Sequence, residues 1–303
     1  ILFAGTGEAN SSSFSFLGNG IYKSEDGGNS WTNSGLVETG YFGRIIVDYT
    51  NPQRVYAAAL GSLFTPDTNR GVYRSDDGGE SWDQILFLTD STSAVDLVQH
   101  PENPEILYAS MWERMRGLDY RRSGGESSGV YKTEDGGDTW FELTNGLPTH
   151  EFVGRIGLTI SHSNPDVLYA FYDKQMEPGD SYSYLGIFKT TNGGTLWQQT
   201  NDSNLYDMNA SFGWYFGQIH VDPSDENMVF ALGVDLVRST NGGASWQQIA
   251  GYWNTDEIHV DHHAIVIDPN TGRVVVGNDG GLYISNNYGS DWDHINNIPM
   301  TQF

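Results

Sequence analysis

Short runs of β-branched and aromatic residues recur along the chain, each bounded by Gly, Pro, Asn or Asp. None keeps an apolar period of 3.6 residues, so no helix of consequence is predicted. Residues 44–48 form one such run, 49–52 (Tyr-Thr-Asn-Pro) are turn chemistry, and 54–59 form a second run. Residues 71–75 alternate as a third strand and 82–86 supply a fourth. The first hairpin of this set returns at 95–98 with 106–109, 156–160 with 167–171, 219–221 with 229–232, and 265–267 with 274–276. Four antiparallel strands in a period of roughly 45–50 residues make one propeller blade. The predicted fold class is therefore all-β, a β-propeller of four-stranded antiparallel blades, with six blades visible.

Between the third and fourth strands of every period lies the pattern Ser/Thr-x-Asp/Asn-x-Gly-x-x-Trp, at 24–31, 75–82, 133–140, 190–197, 239–246 and 285–292. Its Asp or Asn (Asp26, Asp77, Asp135, Asn192, Asn241, Asn287) can accept backbone N–H groups of its own turn, and the hydroxyl can join that network. Its Gly allows positive φ. Its Trp (Trp31, Trp82, Trp140, Trp197, Trp246, Trp292) is expected to bury its ring between blades. Asn in half of the copies keeps the acceptor and loses the charge, which a catalytic carboxylate would not tolerate. The boxes are expected to be scaffolding.

Residues 1–7 align with a second strand, so the first blade is expected to lack its inner strand. A further blade is expected after residue 303, making 1–303 a single propeller domain cut from one of seven or more blades. The opening lacks Met and a signal peptide, which predicts a processed product or a piece of something longer.

Hydrophobic content of 38% and aromatic content of 13% mark a folded chain. No run of about 18 apolar residues occurs, so no direct membrane insertion is expected. The 15 basic residues stand against 39 acidic ones, a net charge of −24, which disfavours nucleic acid and anionic membranes as partners. Such acidity suits a solvated surface or divalent cations. Cysteine is absent, which removes disulfides and thiolate chemistry.

The boxes resemble the Asp-box, or bacterial neuraminidase repeat, of sialidases, xyloglucanases and sortilins. The strings at 5–10 (GTGEAN), 43–45, 58–61, 108–112 (YASMW), 154–157, 260–264 (VDHHA), 277–283 and 297–299 resemble a bacterial sortilin-like propeller family across the whole chain. The resemblance implies an exported protein, secreted or held at the cell surface or in the periplasm of a bacterium, with further domains or partner subunits. It implies no particular reaction. Sialidases use three arginines and a Tyr-Glu pair, whereas only Arg44 and Arg155 are placed alike at inner-strand starts here. The paired aspartates of xyloglucanases have no evident counterparts.

In a propeller, ligands bind where the innermost strands begin, at the channel mouth. Candidate binding residues there are Arg44, Asp96, Arg155, Gln218 and His262, joined by Trp112, Trp214 and Trp253 for stacking. His220, Glu8, Asp235 and Asn278 belong to the same face, and the longest loop, 111–128, adds Arg114, Arg116, Arg121 and Arg122. Strand alternation sends His259, Asp261 and His263 to one side and His262 to the other. Two imidazoles and a carboxylate make that trio a candidate divalent-cation site, the one cofactor considered; the alternative is hydrogen bonding that rigidifies the blade. Asp96, Asp173, Asp261 and Asp279 are the candidate catalytic carboxylates. The leading function is a binding module for a protein, peptide or glycan ligand. The alternatives are a glycoside hydrolase and a metal-dependent hydrolase built on His259, Asp261 and His263.

Overall fold

A computed structural model describes residues 1–10, 12, 15–251 and 258–297. The chain divides into two compact units, Ile1–Thr144 with Pro148–Ile156, and Asn145–Leu147 with Gly157–Phe303. The fold is all-β, of β-propeller type, and its described helix content is one 3₁₀ turn, Ser203–Leu205.

Three blades belong to the first unit. The first is three-stranded, β1 (Leu2–Gly5), β2 (Ile21–Ser24) and β3 (Thr32–Asn33). The second runs in order through β4 (Phe42–Val47), β5 (Val55–Ala59), β6 (Gly71–Ser75) and β7 (Asp83–Leu86). In the third, β8 (Thr92–Gln99) and β9 (Leu107–Glu113) are followed by a separate hairpin of β10 (Met115–Arg116) and β11 (Arg121–Arg122). The sheet is then completed by β12 (Gly129–Thr133) and β13 (Phe141–Leu143). Residues 111–128 are thus a strand end and a hairpin where a long loop was expected.

The fourth sheet, β14 (Val153–Ile160), β15 (Leu168–Lys174), β16 (Tyr184–Thr190) and β17 (Trp197–Gln199), passes into the second unit partway along β14. That unit continues with β18 (Gln218–Asp222), β19 (Asp225–Leu232), β20 (Leu236–Ser239) and β21 (Gln247–Ala250). Its last sheet is β22 (His262–Asp268), β23 (Arg273–Asn278), β24 (Gly281–Ser285) and β25 (Asp293–His294).

The second strands β5, β9 and β15 are buried on both faces, which explains their unbroken apolar runs. All five residues of β5 are buried, and a neighbouring blade covers each side. Tyr56, Ala58, Val72, Leu97 and Ala109 form one such interblade core. Tyr169, Phe171, Ile219, Val229 and Trp246 form another, in the second unit.

The boxes cap the hairpins as expected. Asp77 Oδ1 accepts the N–H groups of Glu80 (3.0 Å) and Ser81 (2.9 Å), and Ser75 Oγ donates to it at 2.8 Å. The Gly79 N–H, at φ +91°, donates to Ser75 Oγ at 2.8 Å. The Asn copies keep the geometry, with Ser245 N–H donating to Asn241 Oδ1 at 2.9 Å. Hydrogen bonds from Thr139, side chain first and then backbone, hold the Asp135 carboxyl at about 2.

The Trp rings do not all bury. Trp197 (1%) and Trp246 (7%) do; Trp31 stays 41% exposed. Two box rings lean toward the preceding blade, Trp82 Nε1 donating to Ser34 O at 2.7 Å and Trp246 Nε1 to Thr200 Oγ1 at 3.1 Å. Trp31 Nε1 turns back to Gly28 O of its own turn at 3.1 Å, as Trp140 Nε1 does to Gly137 O at 3.1 Å.

Candidate functional site

In the first unit the inner-strand starts are shaped by bulges. The β4–β5 register shifts between Phe42 and Arg44, and the β8–β9 register shifts between Ala94 and Asp96, each leaving one extra residue on the inner strand. A bulge re-aims the side chains beside it. At Gly43 a Cβ would lie 2.0 Å from Val95 O, so only glycine allows β4 to approach β8 this closely. That approach brings Arg44 Nε to 2.8 Å from Asp96 Oδ1. Asp96 Oδ1 also accepts the Leu97 N–H at 3.0 Å. The Asp96 charge raises the Arg44 pKa against the opposing effect of burial. Arg44 also borders a cavity of about 300 Å³ lined by Phe3, Gly5, Phe42, Gly43 and Ile45.

Arg155, at the start of β14, is 7% exposed and donates from Nη1 to Asn10 Oδ1 at 3.1 Å. Its guanidinium is 5.9 Å from the Trp112 ring centroid, and that of Arg114 is 5.1 Å away. Trp112 is therefore no stacking platform. It is fully buried at the end of β9, donates Nε1 to Ser123 O at 2.9 Å, and anchors two guanidiniums. Burial, then the charges of Arg116, Arg121, Arg155 and Arg70, push the Arg114 pKa down to about 8. A guanidinium nonetheless keeps its proton at neutral pH, so this arrangement is a concentrated positive field.

In the second unit β22 begins at His262, and Asp261 has φ +65°. The segment before it is not strand, so alternation cannot carry His259, Asp261 and His263 to one side. A further register shift between His262 and Ala264 makes His263 the extra residue of a bulge. His263 Nε2 lies 2.6 Å from Asp279 Oδ1, and its backbone O accepts Gln218 Nε2 at 2.6 Å. Its ring packs against Tyr215 and Phe216, at centroid distances of 5.6 and 5.5 Å. Burial, then the Asp279 charge, raises the Asp261 pKa. His259 Nδ1 is 2.9 Å from Val260 O. Among the described residues, no three His, Asp or Glu side chains are placed to hold a metal ion.

His262 points inward. It is fully buried and, among the described residues, neither ring nitrogen has a hydrogen-bond partner. Asn278, also fully buried, donates to His259 O at 2.7 Å. Asp173 is 1% exposed, tight against Gly213. Trp214 is 8% exposed and packs edge-on to Tyr215, so it too belongs to the interior. Trp253 lies outside the described residues.

A family model described as Sortilin-Vps10 (sortilin, neurotensin receptor 3) matches residues 19–216, about two thirds of the chain. The chain belongs to the Sortilin-Vps10 family. Among curated proteins, the xyloglucanase Xgh74A of Acetivibrio thermocellus is 23% identical over 208 residues, 58% of this chain. The chain spans only 23% of the length of that relative. Among solved structures, an ancestral GH74 enzyme aligns over 91% of this chain and 36% of its own, with a TM-score of 0.65 and 18% identity. The GH74 xyloglucanase from Xanthomonas campestris aligns over 98% of this chain and 57% of its own, with a TM-score of 0.52 and 14% identity. YCF48 bound to D1 peptide aligns over 92% of this chain and 75% of its own, with a TM-score of 0.54 and 15% identity. These likenesses establish the propeller fold that this Sortilin-Vps10 chain shares with them.

Proposed function

We propose that the chain is the ligand-binding propeller of an exported bacterial protein, and that it takes a peptide or protein segment rather than cleaving a glycan. The observation that carries this reading is the arginine group around Trp112, with Arg114 and Arg155 held 5.1 and 5.9 Å from one buried ring. Preorganised guanidiniums recognise carboxylates without reordering. Two of the candidate carboxylates are meanwhile engaged, Asp96 by Arg44 in the first unit and Asp279 by His263 in the second. Family membership agrees with a binding role. That kinship supports the export reading, and no described helix is long and apolar enough to cross a membrane.

Selection of a random dodecapeptide display library on the purified protein tests the reading. Enriched peptides should lose binding to Arg155→Gln. Failure to enrich any peptide would sink it.

A glycoside hydrolase is the second reading, favoured by one feature. Asp261 has a raised pKa beside Asp279, the environment of a general acid. Release of reducing ends from xyloglucan, abolished in Asp261→Asn, would decide for it.

A further inference from the structure

We propose that a groove beside the fourth box is a non-catalytic binding site for a neutral sugar. The site shares no residue with the arginine group that carries the peptide-binding reading, and it stands or falls independently.

The fourth box departs from the other five at one position. The residue before the Trp normally closes on the Asp or Asn of its own turn. Ser30, Ser81 and Thr139 donate to Oδ2 of Asp26, Asp77 and Asp135 at 2.6, 2.5 and 2.6 Å. Where the box carries Asn, Asn241 Nδ2 donates to Ser245 Oγ and Asn287 Nδ2 to Asp291 Oδ2, each at 2.8 Å. In the fourth box that position is Leu196, whose side chain has no polar atom to offer and which is 42% exposed. Asn192 Oδ1 still accepts the Thr190 hydroxyl at 2.8 Å and the Leu196 N–H at 3.0 Å. Its Nδ2 has no hydrogen-bond partner among the described residues. A repeat that breaks its own local rule, without a compensating contact, is a place to look for function.

Asn192 and Leu196 border a groove of about 320 Å³, shared with Lys189, Gln198, Thr200 and Asn201. Its size is within the range of small-ligand sites. The side chains decide the ligand class. Amides and hydroxyls both donate and accept, as the hydroxyls of a sugar do. Leu196 supplies an apolar face for the C–H side of a pyranose ring. In a chain with 39 acidic residues no carboxylate lines the groove, so the acid and base that cleave a glycosidic bond are missing there.

Other ligand classes fit less well. The one charged group, Lys189, is engaged, its Nζ 5.3 Å from the Tyr169 ring centroid and 3.3 Å from Gly242 O. An anion would need a cation directed at it. An extended peptide would add to the outer edge of β17. That edge is covered, because the Trp197 N–H donates to Asn145 O at 3.0 Å and Asn145 Nδ2 donates to Thr195 O at 2.9 Å.

The test is a titration of isotopically labelled protein, followed by NMR of the side-chain amides. The probes are the methyl glycosides of glucose, galactose, mannose and xylose at millimolar concentration, with methyl glucuronide as the anionic control. A neutral glycoside should shift the Asn192 and Gln198 amide signals, and the glucuronide should not. Leu196→Ser restores the pattern of the other boxes. It should raise Tm, because Asn192 Nδ2 gains a partner, and should weaken glycoside binding by about fivefold or more. Gln198→Ala should weaken binding about fivefold with Tm unchanged. A Leu196→Ser protein that binds the glycoside as tightly as the native one would overturn the site. So would tighter binding of the glucuronide than of every neutral glycoside, or no shift of either amide with any of the four. None of these results bears on whether dodecapeptides enrich on the protein, so the two readings can fail separately.

Discussion

His262 offers the most direct test of the second unit. Its imidazole is fully buried with both nitrogens unpartnered among the described residues, and burial, then the charges of His263 and His259, push its pKa down to about 3. In the unfolded chain the same group titrates near 6.5. The folded pKa is depressed, so His262 is neutral in the native state while the unfolded chain takes up a proton first. Its full contribution is present above pH 6.5 and is lost as pH falls from 6.5 toward 3. Each unit of that interval is worth about 1.4 kcal/mol, so stability falls by about 2 kcal/mol between pH 7.5 and 5.0 from this residue alone. Asp261 acts in the opposite sense, because its raised pKa makes protonation favour the folded state. A His262→Leu variant isolates the imidazole, since Asp261, His259 and His263 remain in both proteins. Urea denaturation followed by tryptophan fluorescence at pH 7.5 and 5.0 is the assay. The native protein should lose about 2 kcal/mol more than His262→Leu on acidification. At pH 7.5 the variant should be no less stable, because removing an unsatisfied buried polar group offsets the change of shape. Parallel losses in the two proteins would refute the argument.

Other predictions use the same denaturation assay. Trp197→Ala should cost about 3–5 kcal/mol and Trp31→Ala less than about 1, because the first ring is buried and the second is 41% exposed. Equal costs would show that the box Trp acts within its own turn. Gly43→Ala should destabilise by about 1–3 kcal/mol, since its Cβ would meet Val95 O at 2.0 Å. A crystal structure of that variant should show Arg44 and Asp96 drawn apart. Asp135→Ala should lower Tm and Asp135→Asn should leave it nearly unchanged, as the native Asn192 and Asn241 boxes imply. With its carboxyl held near 2, the Asp135 contribution should persist until pH falls below about 4 and be lost toward 2.

The strands were legible because two periods coincide in each blade. Second strands such as β5 read as unbroken apolar runs, since blades cover both faces. The boxes locate each outer hairpin through turn chemistry that is local in sequence. Exposure was less legible. Trp112 and Trp214 occupy loop-like positions in the sequence, yet both are buried, because strand β9 runs on to Glu113 and the 212–216 aromatics pack on one another. The β10–β11 hairpin had a signal, Gly117-Leu118-Asp119-Tyr120 between paired basic residues, but its strands are only two residues long.

The site residues were hardest to place for one physical reason. Assigning side chains to faces by alternation assumes that every residue advances the pleat by one step. A bulge inserts a residue without a partner and reverses the parity of everything before it. Such insertions occur at Gly43, Val95 and His263, the first two immediately before Arg44 and Asp96, all at inner-strand starts where polar residues gather. The His259–His263 reading fails at that point. The strand begins at His262, positive φ at Asp261 turns the backbone, and His263 is the unpaired residue. The outcome is that His262 goes into the interior while His263 meets Asp279 at the surface. Substituting a bulged position should therefore move its neighbour's side chain more than its own, which makes Gly43, rather than Arg44, the residue that sets the Arg44–Asp96 pair.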